Sequence, residues 1–139
     1  MANIKHNFTI HSSLQKVYEV ITTEKGLRGW WTIGATAKPE EGFINHFEFG
    51  PSHFKKMKIT RLEEPSQVHW RCVDGDHEWI GTTVLFVLED RKGATFLKFS
   101  HNDWTEESEY FGVCTYHWGR FLVSLKLLCE TGKGEPFMG

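Results

Sequence analysis

The chain has 139 residues, a length that favours one domain whose core needs no disulfide or metal to fold. Sixteen Lys and Arg against eighteen Asp and Glu leave a net charge of −2, without the basic excess that a nonspecific DNA or RNA binder needs. The longest fully apolar run, Val84 to Leu88, falls far short of the roughly 20 residues of a membrane span.

The first element in chain order is a strand over Ile4 to Ile10, where Ile4, His6, Phe8 and Ile10 alternate with Lys5, Asn7 and Thr9. Ser12 or Ser13 can cap a helix to about Thr22, with Leu14, Val17, Tyr18 and Ile21 on one face. A second short helix covers Glu24 to Trp30, weakened by Gly26 and Gly29. From Thr32 to His101 the pattern is β. Phe43, Asn45, Phe47 and Phe49 alternate with Ile44, His46 and Glu48, and Gly50-Pro51-Ser52 is a turn. A strand over His53 to Leu62 ends at Glu63-Glu64-Pro65-Ser66. Val68, Trp70 and Cys72 alternate with His69, Arg71 and Val73, and Asp74-Gly75-Asp76 reads as a hairpin turn. Trp79 to Glu89 is the next strand, and Asp90-Arg91-Lys92-Gly93 turns into Ala94 to His101. A long helix over Glu106 to Cys129 follows. Tyr110, Cys114, His117/Trp118, Phe121, Leu125 and Leu128 recur on one of its faces, and Gly132 stands just beyond its end.

This order predicts an α+β domain over residues 1–139: a curved antiparallel sheet wrapped around a long C-terminal helix, with two short helices between the first two strands. Eleven Phe, six Trp and three Tyr exceed what a minimal core requires and point to an aromatic-lined cavity between sheet and helix. Trp30 and Trp31 either pack the core or gate such a cavity. Phe43, Phe47 and Phe49, with Phe86, Phe96 and Phe99, read as core and cavity wall at once. Val68, Trp70 and Cys72 have a stronger claim on the interior than His69 and Arg71. On the long helix, Tyr110 and His117 either grip the sheet or aim polar atoms into the cavity. The eight histidines show no HxH, HExxH or HxxxH spacing, so no metal or other cofactor is expected, and Cys114 and His117 lack a third ligand. His101 and Asp103 stand close in sequence without the geometry of a general base.

Several stretches together resemble the SRPBCC or START-like helix-grip superfamily, related to the Bet v 1 fold, and within it the activator of Hsp90 ATPase homologue 1-like group. They are Gly26-Leu27-Arg28-Gly29-Trp30-Trp31, Ile59 to Pro65 leading into Val68-His69-Trp70, the hairpin from Val84 to His101, and Trp118-Gly119-Arg120-Phe121-Leu122 with Glu130 to Gly134. The resemblance covers nearly the whole chain and implies a hydrophobic ligand cavity of variable lining, with no shared catalytic set. The expected function is therefore binding of a small, mostly hydrophobic molecule, lipid-like or aromatic. The alternatives are a polyketide cyclase or aromatase using a pocket His or Tyr, and an Hsp90 co-chaperone-like interaction module linked to stress responses.

The candidate ligand contacts are Trp30 and Trp31 on the second helix and Phe47, Phe49, Trp70, Trp79, Phe86 and Phe99 on the strands. His101 at the last strand's end and Tyr110, Cys114, His117, Trp118 and Phe121 on the long helix complete the set. The odd, widely spaced Cys72, Cys114 and Cys129 and an N-terminus without signal-peptide character fit the cytoplasm. A monomer is favoured over an oligomer.

Overall fold

The computed structural model describes residues 1–139. Strand β1 (Ala2–Ile10) leads into α1 (Leu14–Thr22) and α2 (Glu24–Trp30). Six strands follow: β2 (Gly34–Thr36), β3 (Ile44–Glu48), β4 (Phe54–Glu63), β5 (Gln67–Gly75), β6 (Thr83–Arg91) and β7 (Ala94–Trp104). Helix α3 (Glu109–Thr131) ends the regular structure. One antiparallel sheet takes the order β1-β7-β6-β5-β4-β3-β2, so the first two strands lie at opposite edges. This is the α+β helix-grip architecture.

Local chemistry sets the helix ends. The Ser13 Oγ accepts from the Lys16 N–H and the Thr23 Oγ1 from the Gly26 N–H, which satisfies one free donor at each start. At Gly26, α1 and α2 come so close that a Cβ would lie 2.2 Å from the Val20 carbonyl oxygen. Ser108 caps α3 by accepting from the Phe111 N–H, and Gly132 closes it at φ 87°, with its N–H on the Leu128 carbonyl.

Period-two alternation turns one sheet face inward. Val68, Trp70 and Cys72 of β5, Val84, Phe86 and Leu88 of β6, and Leu97 and Phe99 of β7 are all buried. Helix α3 lies on this face through Cys114, Trp118, Leu122 and Leu125. At about 1.5 Å per residue it spans about 35 Å. His69 is half-buried and Arg71 exposed, on the face turned from the core.

Several boundaries differ from the sequence expectation. Strand β5 continues through Asp74 to Gly75, and the turn lies in the following residues, where the Asp76 carbonyl accepts from the Trp79 and Ile80 N–H groups. Trp79 therefore belongs to a loop, and β6 starts only at Thr83. Strand β7 runs past His101 to Trp104 because an irregularity opposite Asn3 lets pairing with β1 resume. Phe96 is on the outer face under the Arg91 guanidinium, since parity with Leu97 and Phe99 allows only one of the two sets inside. Helix α3 begins at Glu109, behind its cap Ser108, rather than at Glu106, so Glu106 and Glu107 precede its first turn. No helix is long and apolar enough to cross a membrane.

Candidate functional site

The aromatic interior is continuous. Trp30 stacks on Trp31 (centroids 5.9 Å apart), Trp31 on Trp118 (5.0 Å) and Trp118 on Trp79 (5.9 Å). Trp31 also stacks on Trp70 at 6.0 Å. Around Trp30, Trp70, Phe86 and Phe99 the packing is close and all four are buried. Towards α3 and the β5–β6 loop the stacked indoles border a cavity of about 440 Å³, within the range of small-molecule sites.

Its aromatic wall is built from Trp31, Phe49, Trp79, Trp118 and Phe121. Phe137 of the C-terminal segment adds a further ring at 5.6 Å from Phe49. Backbone bonds between Phe137 and the Trp31–Ile33 segment hold this tail in place, the Phe137 N–H on the Trp31 carbonyl and the Ile33 N–H on the Phe137 carbonyl. Tyr110 and Cys114 face the cavity from α3, and His53, His117 and Arg120 complete the lining.

The cavity contains one charge deep in its wall. Lys55 stands on β4 at the same parity as Met57 and Ile59, so the alternation that buries those two also turns the lysine inward, and its side chain is only 10% exposed. Its ammonium donates to Asp76 Oδ2 at 2.5 Å and lies 4.6 Å from the centre of the Trp79 ring and 5.4 Å from that of Phe49. The Tyr110 hydroxyl donates to the same carboxylate oxygen at 2.6 Å. Burial pushes the Asp76 carboxyl up, but the bonds from Lys55 and Tyr110 and the Lys55 charge outweigh it and hold the group below the ordinary carboxylate range. Burial, then the bond to Asp76, raises the Tyr110 phenol, which stays a donor. Two features bring the trio together. Strands β4 and β5 shift register between Lys56/Met57 and Asp74/Cys72, leaving Val73 as the extra residue. Gly75 then passes so close to β4, at φ 127°, that a Cβ would lie 2.6 Å from the Phe54 carbonyl oxygen.

Behind the tryptophan wall a second polar chain is closed to solvent. The Trp118 Nε1–H donates to His101 Nδ1 at 3.0 Å. An indole nitrogen can only donate, so the imidazole proton sits on Nε2, which donates to Thr82 Oγ1 at 2.8 Å. The Thr82 hydroxyl in turn donates to the Trp79 carbonyl at 2.6 Å. Burial, with the Lys55 charge adding to it, lowers the His101 pKa to about 3. Asp103 bonds Thr83 Oγ1 instead of His101. The Trp79 Nε1–H points at Cys114 Sγ, 3.4 Å away, and burial raises the Cys114 thiol, so it remains a thiol and hydrogen-bond acceptor.

The sequence-derived candidates thus separate into two groups. Trp31, Phe49, Trp79, Tyr110 and Cys114 line the cavity, with His117, Trp118 and Phe121. Trp30, Phe47, Trp70, Phe86 and Phe99 fill the core behind it, and His101 supports the wall without reaching the cavity. His53, Lys55, Asp76, Arg120 and Phe137 went unseen. For Lys55 a signal existed: a lysine in step with Met57 and Ile59 on a strand whose alternate residues are buried. Phe137 carries no such signal, because its place depends on where the tail docks.

Among known proteins, the family profile described as "Activator of Hsp90 ATPase homolog 1-like protein" matches residues 11–130. No curated protein matches significantly. The solution structure of the Aha1 dimer from Colwellia psychrerythraea is similar at 34% identity and a TM-score of 0.89, covering 96% of this chain and 100% of that one. A Mesorhizobium loti protein aligns at 16% identity and a TM-score of 0.79, over 91% of this chain and 96% of its own. CalU16 from Micromonospora echinospora aligns at 17% identity and a TM-score of 0.76, over 96% and 76%. These last two share the fold.

Proposed function

This chain belongs to the activator of Hsp90 ATPase homologue 1-like family of helix-grip proteins, and we propose that it binds a small, mostly hydrophobic molecule in the cavity between the sheet and α3. The observation that carries this reading is the opening of about 440 Å³ in an otherwise tightly tiled aromatic interior, with ring faces bordering it and few polar atoms among them. Burial of apolar ligand surface there is worth about 25 cal/mol per Å². Of the residues suited to acid or base work in the cyclase alternative, His117 borders the cavity and His69 lies on the outer face, while His101 and Tyr110 are already engaged. His101 has both ring nitrogens occupied, and Tyr110 is tied to Asp76. An amide-resolved NMR titration against lipids and flat aromatics tests the binding reading. Shifts are expected at Trp31, Trp79, Tyr110 and Trp118 with one compound class, whereas an unchanged spectrum across the panel would overturn it.

A second reading concerns assembly, where a monomer was expected. The Colwellia relative is described as a dimer, and α3 carries an exposed apolar stripe of Val113, Tyr116 and Val123 on the side away from the sheet. We propose that a second copy of the chain covers this stripe. Light scattering should give twice the chain mass, and Tyr116→Asp should halve it.

A further inference from the structure

We propose that the cavity is selective for acids: its occupant carries a carboxylate or similar oxyanion that bonds to Lys55, with an aromatic body lying against the tryptophan wall. This rests on the cavity being a ligand site and adds the ligand's charge and orientation.

The inference follows from how Lys55 is held. A buried ammonium is costly unless its donors are used. Lys55 has three N–H donors, of which one goes to Asp76, and its ammonium lies over the faces of Trp79 and Phe49. The ring faces attract the positive charge but offer no lone pair. Asp76 is committed as well, since Tyr110 and Lys55 both bond its Oδ2. Of the other ionisable side chains bordering the cavity, Tyr110 and Cys114 are held neutral, and His53, His117 and Arg120 are basic. The space inside therefore combines apolar walls, spare N–H donors and a positive excess. A neutral apolar ligand would leave those donors unused, and a cation would be repelled. An acid attached to a flat apolar body uses every part. A charge-assisted bond in such a place is worth about tenfold or more in affinity.

Two dyes of one shape test this. 8-Anilinonaphthalene-1-sulfonate and N-phenyl-1-naphthylamine differ in the sulfonate alone, and calorimetric or competition titration gives a Kd for each. The wild-type protein should bind the sulfonate about tenfold or more tighter. Lys55→Met should erase that preference, read as the ratio of the two dyes' Kd values. Asp76→Asn keeps the lysine and removes its counter-charge, so it should strengthen sulfonate binding. A purely structural ion pair predicts a loss for both variants and both dyes. Near-UV circular dichroism checks that each variant is folded. Equal affinity for the two dyes, with both displaced from the tryptophan wall by one competitor, would overturn acid selectivity and leave the ligand-binding reading intact. Binding of neither dye would overturn both.

Discussion

The two ends of the aromatic interior are built from the same residue types and behave differently. At the end beneath α1 and α2, Trp30, Trp70, Phe86 and Phe99 meet edge to face and leave no opening. At the end beneath α3, the indoles of Trp31, Trp118 and Trp79 stack just as closely, but their outer neighbours are half-buried Phe49, Phe121 and Phe137. The difference lies in what stands opposite the rings. At the closed end α1 and α2 bury Val17, Val20, Ile21 and Leu27 in the same core, whereas the open end holds Lys55, Asp76 and Tyr110, which have to keep their bonds to one another. Aromatic content alone thus marks a core, and aromatic content around a bonded charge marks a cavity.

The sharpest way to break this contrast is to make the same cut at both ends. Phe86→Ala removes a fully buried ring and should cost about 3–5 kcal/mol in urea unfolding, because the neighbours cannot collapse into the void. Phe121→Ala at the cavity wall enlarges an opening that already exists and should cost only about 1 kcal/mol. Equal losses would mean that the open end is as tightly packed as the closed one.

A smaller effect comes from acid. His101 is neutral in the folded chain down to about pH 3, whereas an unfolded histidine takes a proton near its ordinary value of about 6.5. Below that value the unfolded state binds more protons, so stability falls as pH drops from about 6.5 towards 3. Between pH 6.5 and 5 the loss is about 2 kcal/mol, at roughly 1.4 kcal/mol per pH unit. His101→Gln should lower stability at pH 7 and flatten this slope, as read by urea midpoints across the range. A slope unchanged by the substitution would show that other groups carry it.

The smallest effect concerns the tail. Phe137→Ala should lower the unfolding free energy by no more than about 1 kcal/mol, since the ring is only half-buried. It should nevertheless speed exchange of the Phe137 and Ile33 amides, which hold the tail beside the cavity. Unchanged exchange would show that the backbone bonds alone fix the segment.

Much of the fold was legible because local rules decide it. Ser13 caps α1 as its position suggests, and the alternation through Val68, Trp70 and Cys72 predicts which face of β5 is buried. The β5–β6 connection was misread because Asp74-Gly75-Asp76 has the composition of a tight turn. Gly75 serves a different need, the close approach of β4, and that need appears only once two strands 20 residues apart are paired. The site divides in the same way. Tyr110, Cys114, Trp118 and Phe121 follow from helical spacing, but the Lys55–Asp76 contact depends on the shift at Val73. His101 was expected among the ligand contacts at the end of the last strand. Its isolation from the cavity came from the indole of Trp118, which claims Nδ1 and covers it.

The stacked tryptophans have an optical consequence. Indoles this close exchange excitation, so light absorbed by Trp30 in the core can travel through Trp31 and Trp118 to Trp79. Trp79 stands beside the cavity with its N–H on a cysteine sulfur and an ammonium over its ring, both of which draw off excited-state energy. The array therefore drains excitation into a quenched indole beside the cavity, and an arrival that disturbs either quencher should change the protein's own fluorescence with no added label.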